Sequence, residues 1–349
     1  MNFASDNVYG VHPKILAALG EANGGTAPSY GSDGPTKRAE EKLKEVFGCD
    51  LRAFLVTSGT AANGLALSSI TPGYGAIMCH GEAHIAVDEC NSPEMFTGGA
   101  KIIGLHGPGG KITPAQVEKT LKGFIRGEHD PKPKGVSLTN ATELGTVYSP
   151  VEVKAFSDLV RPRGMRLHMD GARFANAVAG LGVSPAELTW KSGVDVMSFG
   201  ATKNGAMMLE AVVFFDLALA EDFAYRRMRA GQLLSKSRYL GAQMLAYLDG
   251  GLWLDNARRA NALAQKLAKG LTAGGKVWIP NPVEANEVFA VLPRPMFERL
   301  QAAGAHFYDW MPDSLGDRIG PDEVFSRFVL SFATPEEEVD AFVKLVAEG

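Results

Sequence analysis

Seven short apolar, β-rich runs recur between residues 53 and 215, and between them lie the start signals of helices. The runs are Ala53–Thr57, Ala76–Cys79, Lys101–Gly104, Val136–Thr139, Met165–Met169, Val194–Phe199 and Ala211–Phe215. Each is too short for a buried helix and too uniformly apolar for a strand with one wet face, so each reads as a strand buried on both sides. Four segments place a hydroxyl at the N-cap, Pro at the first helical position and Glu or Gln at the third: Thr113 with Gln116, Ser149 with Glu152, Ser184 with Glu187, and Thr334 with Glu337. Strand and helix alternating over residues 50–216 predict a mostly parallel seven-stranded sheet flanked by helices, an α/β fold whose ligands gather at the carboxyl ends of the strands.

The texture changes after Ser235. Helical spacing runs to Leu248 and again from Leu254 to Leu271; Glu287–Leu292 and Arg327–Phe332 read as strands, and a helix from Thr334 ends the chain. We therefore expect an N-terminal arm and large domain over residues 1–250 and a smaller α+β domain over 251–349.

At 349 residues with a formal net charge of −4, the chain carries no basic footprint for nucleic acid or an anionic membrane. No apolar run approaches membrane length, and the N-terminal residues lack a basic segment followed by an apolar stretch. Three cysteines, Cys49, Cys79 and Cys90, are too few for a disulfide framework. The expectation is a protein of the reducing cytoplasm that acts on a small molecule.

Three familiar motifs fail on inspection. Gly104–Lys111 lacks the spacing of a phosphate-binding P-loop, with Leu105 and Ile112 at the required positions. No Gly-x-Gly-x-x-Gly follows a strand, which argues against a dinucleotide cofactor. His80 and His84 are four apart but not in zinc-protease order, so no metal site is expected.

Three segments at predicted strand ends carry chemistry. Thr57–Asn63 opens a helix after a strand; its small residues and unpaired N–H groups suit an anion, although, taken alone, a plain capped start on Thr57 or Ser58 is the stronger reading. Asp170, before Gly171, Ala172 and Arg173, could hold a proton on a heteroaromatic nitrogen, or could pair with Arg173 at a helix start. Lys203 lies in a loop between Gly200 and Gly205, as a Schiff-base lysine or as an exposed turn residue. Together, in this order, they are the parts of a pyridoxal phosphate site.

With these pieces in place the chain resembles the bacterial low-specificity L-threonine aldolases, pyridoxal phosphate enzymes of fold type I in the aspartate aminotransferase superfamily. The resemblance rests on Tyr30-Gly31 with Asp33, Pro35 and Thr36, on Ser58–Asn63, His84, Asp170–Arg173, Lys203 and Arg327. It implies that Lys203 forms the Schiff base, Asp170 holds the pyridinium proton, and Ser58, Gly59 and Thr60 take the phosphate. It further implies that His84 stacks on the cofactor ring, that Ser5, Tyr30, Arg173 and Arg327 bind substrate, and that Arg229, in the basic run Arg226, Arg227, Arg229, reaches a neighbouring subunit's phosphate. The implied reaction is reversible cleavage of L-threonine, L-allo-threonine and related β-hydroxy-α-amino acids, phenylserine among them, to glycine and an aldehyde. The implied assembly is a homodimer or homotetramer with sites between subunits. A β-eliminating lyase, an aminotransferase, or a catalytically silent binding protein on the same fold are the alternatives. One departure stands out: many members read Asn-Thr-His where this chain has Asn140, Ala141, Thr142 and Glu143, so the β-hydroxyl base passes to His84 or to a water near Thr142 or Glu143.

Glycine occupies 40 of 349 positions, about 11% against roughly 7% in ordinary chains. Part of this excess, namely Gly31, Gly34, Gly59, Gly64, Gly171, Gly200 and Gly205, is expected to line the cofactor site.

Overall fold

The computed structural model describes residues 1–311, 315 and 318–348. Helices α1 (Pro13–Ala22) and α2 (Gly34–Phe47) precede a seven-stranded sheet formed by β1 (Arg52–Val56), β2 (Gly75–His80), β3 (Lys101–Leu105), β4 (Lys132–Thr139), β5 (Arg166–Gly171), β6 (Val196–Gly200) and β7 (Glu210–Phe214). The strand order is β1-β7-β6-β5-β4-β2-β3. Only β7 runs against its neighbours; β6, β5, β4, β2 and β3 pair in parallel. Each of the seven apolar runs is one of these strands, and β2, β6 and β7 are buried at every residue.

Crossovers between the strands are α3 (Gly59–Ile70), α4 (His84–Val87), α5 (Ser92–Thr97), α6 (Pro114–Leu121), α7 (Pro150–Val160), α8 (Phe174–Leu181) and α9 (Pro185–Leu188). Thr113, Ser149 and Ser184 cap α6, α7 and α9 through complete capping boxes, as their spacing predicts. One face of the sheet packs Phe47, Phe174, Phe199 and Trp253; the other packs Phe54, Phe214 and Phe223 against α3.

After α10 (Phe223–Arg229), α11 (Arg238–Leu248) and α12 (Leu252–Thr272), a three-stranded antiparallel sheet forms from β8 (Glu287–Pro293), β9 (Tyr308–Asp309) and β10 (Glu323–Val329), with α13 (Arg294–Ala302) and α14 (Glu336–Ala347) beside it. Its own core gathers Phe3, Leu267, Leu292, Phe307, Phe328 and Phe342.

Two local expectations are corrected here. The last strand begins and ends earlier than Arg327–Phe332, because β10 pairs with β8 from Glu323 to Val329. Thr334 does not cap the final helix: it is buried, its hydroxyl accepts the Ser331 N–H, and α14 starts at Glu336 with Pro335 at the N-cap. The side chain that matched the capping pattern is used inward instead. Among the described residues no helix is long and apolar enough to cross a membrane.

Candidate active site

Five strand ends converge on one pocket. Its walls include Gly59 and Asn63 after β1, His84 and Glu89 after β2, Thr139 and Glu143 at the end of β4, Asp170 and Arg173 at the end of β5, and Lys203 after β6. This is the carboxyl edge of the sheet, where parallel α/β folds place their ligands.

Asp170 is fixed from two sides. Its register opposite Thr139 and Ser198 buries it within the sheet, its Oδ1 accepts the Ala172 N–H at 3.0 Å, and its Oδ2 accepts Asn63 Nδ2 at 2.7 Å. Behind it, His168 lies buried between Ser137 Oγ at 2.9 Å and Ser198 Oγ at 3.3 Å. Burial pushes that imidazole down to about 4, so it stays neutral at physiological pH.

Lys203 sits on a single 3₁₀ turn, Thr202–Asn204, whose framework is heavily bonded. Glu210 accepts the Ala201 N–H at 3.0 Å, Asn204 donates to the Tyr247 hydroxyl and the Trp253 carbonyl, and Gly205 closes the turn with a left-handed backbone at φ 119°. Burial pushes the Glu210 carboxyl up to about 7. The lysine is thus carried on a rigid mount.

The first turn of α3 presents its N–H groups beside the pocket. Ser58 is the N-cap and accepts the Ala61 N–H at 3.2 Å, so the plain reading of a capped start holds for this side chain. A β-carbon added at Gly59 would meet nothing within 4 Å, leaving open space next to the helix terminus. An aldehyde-bearing heteroaromatic phosphate fits these parts. It needs an amine, a carboxylate for the ring nitrogen and an anion cradle, and the pocket supplies all three in Lys203, Asp170 and the first turn of α3.

His84 opens α4 and bonds Glu89 through Nδ1 at 2.9 Å. The Glu89 carboxylate holds the imidazole above its usual range, while burial lifts Glu89 itself. Asn63 donates to Glu89 as well as to Asp170 and so ties the two carboxylates together. Glu143 accepts the His84 N–H at 2.9 Å, and burial raises its carboxyl to about 7.

Arg173 does not pair with Asp170. Its Nε and Nη2 bond Asp6 at 2.8 and 3.2 Å, and its Nη1 lies 3.3 Å from Glu287. Burial opposes its charge, but these two carboxylates hold the guanidinium firmly protonated. Arg327, on β10, donates to the Ala4 carbonyl at 3.2 Å and stacks 4.4 Å from the Trp310 ring centre. Ser5 accepts the Asn7 N–H in the same N-terminal segment. Sequence reasoning gave no role to Asp6 or Glu287, whose partner Arg173 stands far away in the chain, nor to Glu89, although it lies only five residues from His84.

Six expected residues do not line this pocket: Ser5, Tyr30, Arg229, Arg327, and Ser58 and Thr60 on either side of Gly59. Tyr30 is 54% exposed in the loop before α2, and Arg229 is exposed at the end of α10 near Phe96 and Arg226. The glycines divide as well. A β-carbon at Gly171 would come within 2.6 Å of the Ser198 carbonyl, at Gly200 within 2.5 Å of the Ala172 carbonyl, and at Gly64 within 2.5 Å of Phe96, so these three serve packing and only Gly59 faces open space in the pocket.

The model of the beta-eliminating lyase family matches residues 2–294. The chain is 44% identical over 338 residues to a low specificity L-threonine aldolase of Pseudomonas sp. (strain NCIMB 10558) and 45% identical over 338 residues to that of Pseudomonas aeruginosa, in both cases covering 97% of this chain and 94% of the relative. A solved structure of a Leishmania major threonine aldolase superposes with a TM-score of 0.92 at 28% identity, over 99% of this chain and 98% of that one. With agreement running the length of both chains, the protein belongs to the beta-eliminating lyase family and, within it, to the low specificity L-threonine aldolases.

Proposed function

We propose that this chain is a pyridoxal phosphate-dependent aldolase that cleaves L-threonine, L-allo-threonine and related β-hydroxy-α-amino acids to glycine and an aldehyde, reversibly. The observation that carries the reading is the meeting of Lys203, Asp170 and the open first turn of α3 around one pocket. The bound cofactor supplies an electron sink for the bond that breaks at Cα.

The protein's part is placement and charge. The Lys203 amine is the attachment point; it makes no hydrogen bond or ion pair with another described residue, and its turn is clamped by Glu210 and Asn204. Asp170 keeps the proton on the ring nitrogen, with Asn63 fixing its orientation. The N–H groups of the α3 first turn, with Ser58, Gly59 and Thr60, take the phosphate. Arg173 holds the substrate carboxylate with Arg327 and Ser5 beside it: Asp6 and Glu287 take some of its donors, and a guanidinium fork has five. His84 lies over the cofactor, its ring oriented by Glu89, whose hydrogen bond raises the imidazole above its usual range, and it stands near the substrate oxygen.

The cytoplasm is the proposed compartment, and a homodimer or homotetramer the proposed state. Tyr30 and Arg229 support shared sites, since both stand exposed and outside the pocket of their own chain.

Incubation of the purified holoenzyme with L-threonine, L-allo-threonine and phenylserine should release glycine and the matching aldehyde in equal amounts. Pyruvate and ammonia from serine, or amino transfer to a keto acid, in place of glycine release would overturn the reading in favour of a lyase or aminotransferase. Lys203→Ala should lose the cofactor absorption and the borohydride-fixed adduct.

A further inference from the structure

Two buried carboxyls in the pocket each keep one oxygen without a well-formed hydrogen bond, and only Glu143 has no side-chain partner among the site's ring and amide groups. Glu143 Oε1 accepts the His84 N–H at 2.9 Å, whereas Oε2 is shielded from solvent and makes no hydrogen bond of good geometry, the Thr139 hydroxyl and the residue's own N–H lying close enough only to oppose the rise of its pKa. The residue lines the same pocket as Lys203, Asp170 and His84. A shielded carboxyl oxygen beside a polar ligand site costs free energy unless something fills its lone pairs. Its counterpart Glu89 also has an unpartnered Oε2, but Glu89 is committed to the His84 ring and to the Asn63 amide. Thr142, the other polar side chain of that loop, is spent: its hydroxyl lies 3.0 Å from both the Gly109 carbonyl and the Thr146 hydroxyl, and it is fully buried away from the pocket wall. The His84 ring is committed through Nδ1 to Glu89, whose hydrogen bond raises the imidazole above its usual range.

We infer that Glu143 is the proton acceptor for the β-hydroxyl of the substrate, with Oε2 as the receiving atom. The assignment rests on the aldolase reading above. In the cleavage step Oε2 takes the hydroxyl proton, the O–H electron pair becomes the second bond of the aldehyde carbonyl, and the Cα–Cβ bond breaks with its pair left on Cα. Overall, the hydroxyl proton ends on the glycine Cα, by way of Lys203 or solvent. In the reverse direction the protonated Glu143 gives its proton to the new alkoxide.

The surroundings suit a base that works near neutrality. Burial lifts the carboxyl to about 7, and Asp170 across the pocket adds to the lift. Glu89, His84, Arg173 and Lys203 face it from the other strand ends, Thr139 stands beside it, and Cys79 and Tyr148 lie behind it. A base whose pKa lies near the working pH combines a large ionised fraction with adequate basicity.

The test compares a substrate that has a β-hydroxyl with one that does not. In the holoenzyme, Glu143→Gln should lower kcat/KM for L-threonine cleavage at least about 100-fold. Exchange of the glycine α-hydrogen with deuterium, followed by NMR, should stay within about threefold, because glycine has no hydroxyl proton to remove. Pyridoxal phosphate affinity, by absorbance titration, and Tm should also be unchanged. Cleavage retained within about threefold, or cleavage and exchange falling together, would overturn the assignment. If the glutamine variant does not fold, Glu143→Asp and the wild-type pH profile decide: threonine cleavage should rise through about pH 7 along a limb that glycine exchange lacks, and a profile shared by both reactions overturns the proposal. A wild-type enzyme that exchanges glycine but does not cleave threonine would sink the aldolase reading itself, a separate result.

Discussion

A β-carbon added at Gly171 would lie 2.6 Å from the Ser198 carbonyl oxygen and 2.8 Å from Met197 Cε, against backbone and core that have no room to move; one added at Gly59 would find open space. Two glycines beside functional side chains therefore answer to different constraints. Gly171→Ala is expected to lower stability by roughly 1–3 kcal/mol through overpacking. Gly59→Ala should shift stability by no more than about 0.5 kcal/mol, since it stands at the first turn of a helix, yet weaken pyridoxal phosphate binding by filling the cradle. Urea unfolding of the apoprotein and absorbance titration with the cofactor check the pair, and matching profiles for the two variants would refute the distinction.

Among the elements, β5 shows what a strand contributes beyond scaffolding. Leu167 and Met169 point into the aromatic core, while His168 and Asp170, two apart, share the opposite direction. His168 has its folded pKa lowered to about 4 by burial, against 6.5 when free. Between those values the unfolded chain binds a proton that the native one refuses, so acid favours unfolding there. The contribution is present above about pH 6.5 and is lost as pH falls to about 4, amounting to roughly 3 kcal/mol. The slope of unfolding free energy against pH in this window should be shallower in His168→Asn; equal slopes would show that the buried imidazole is not responsible. The strands were legible because most of their residues are apolar, although only β2, β6 and β7 are buried at every residue and the edge strand β3 is not; three helix starts were legible because a cap, a proline and a Glu or Gln sit within four residues. Thr334 matched the same pattern and failed, since its hydroxyl is taken by Ser331. Lys203 and Asp170 were legible as a set, read through local signatures at strand ends. The Asn63, Glu89 and His84 network and the Asp6 and Glu287 clasp on Arg173 were not, because side chains up to 167 residues apart meet only after folding.

For the whole molecule, the pocket of one chain holds Lys203, Asp170, His84 and Arg173 but not Tyr30 or Arg229. If subunits share sites, light scattering should give a mass two or four times 37.2 kDa. Arg229→Glu should then weaken pyridoxal phosphate binding without changing the mass. A monomer with full activity would refute the shared site.

The pocket takes its walls from the carboxyl ends of the strands, and the opposite rim of the sheet contributes none of them. The exposed turn Gly127–His129, which leads into β4 from that rim, touches neither the aromatic core nor the pocket. Chain growth there is invisible to the chemistry. A reporter peptide, a cleavage site or new chain ends could be written into this margin, much as text is added outside a printed frame, while the five strand ends keep their spacing.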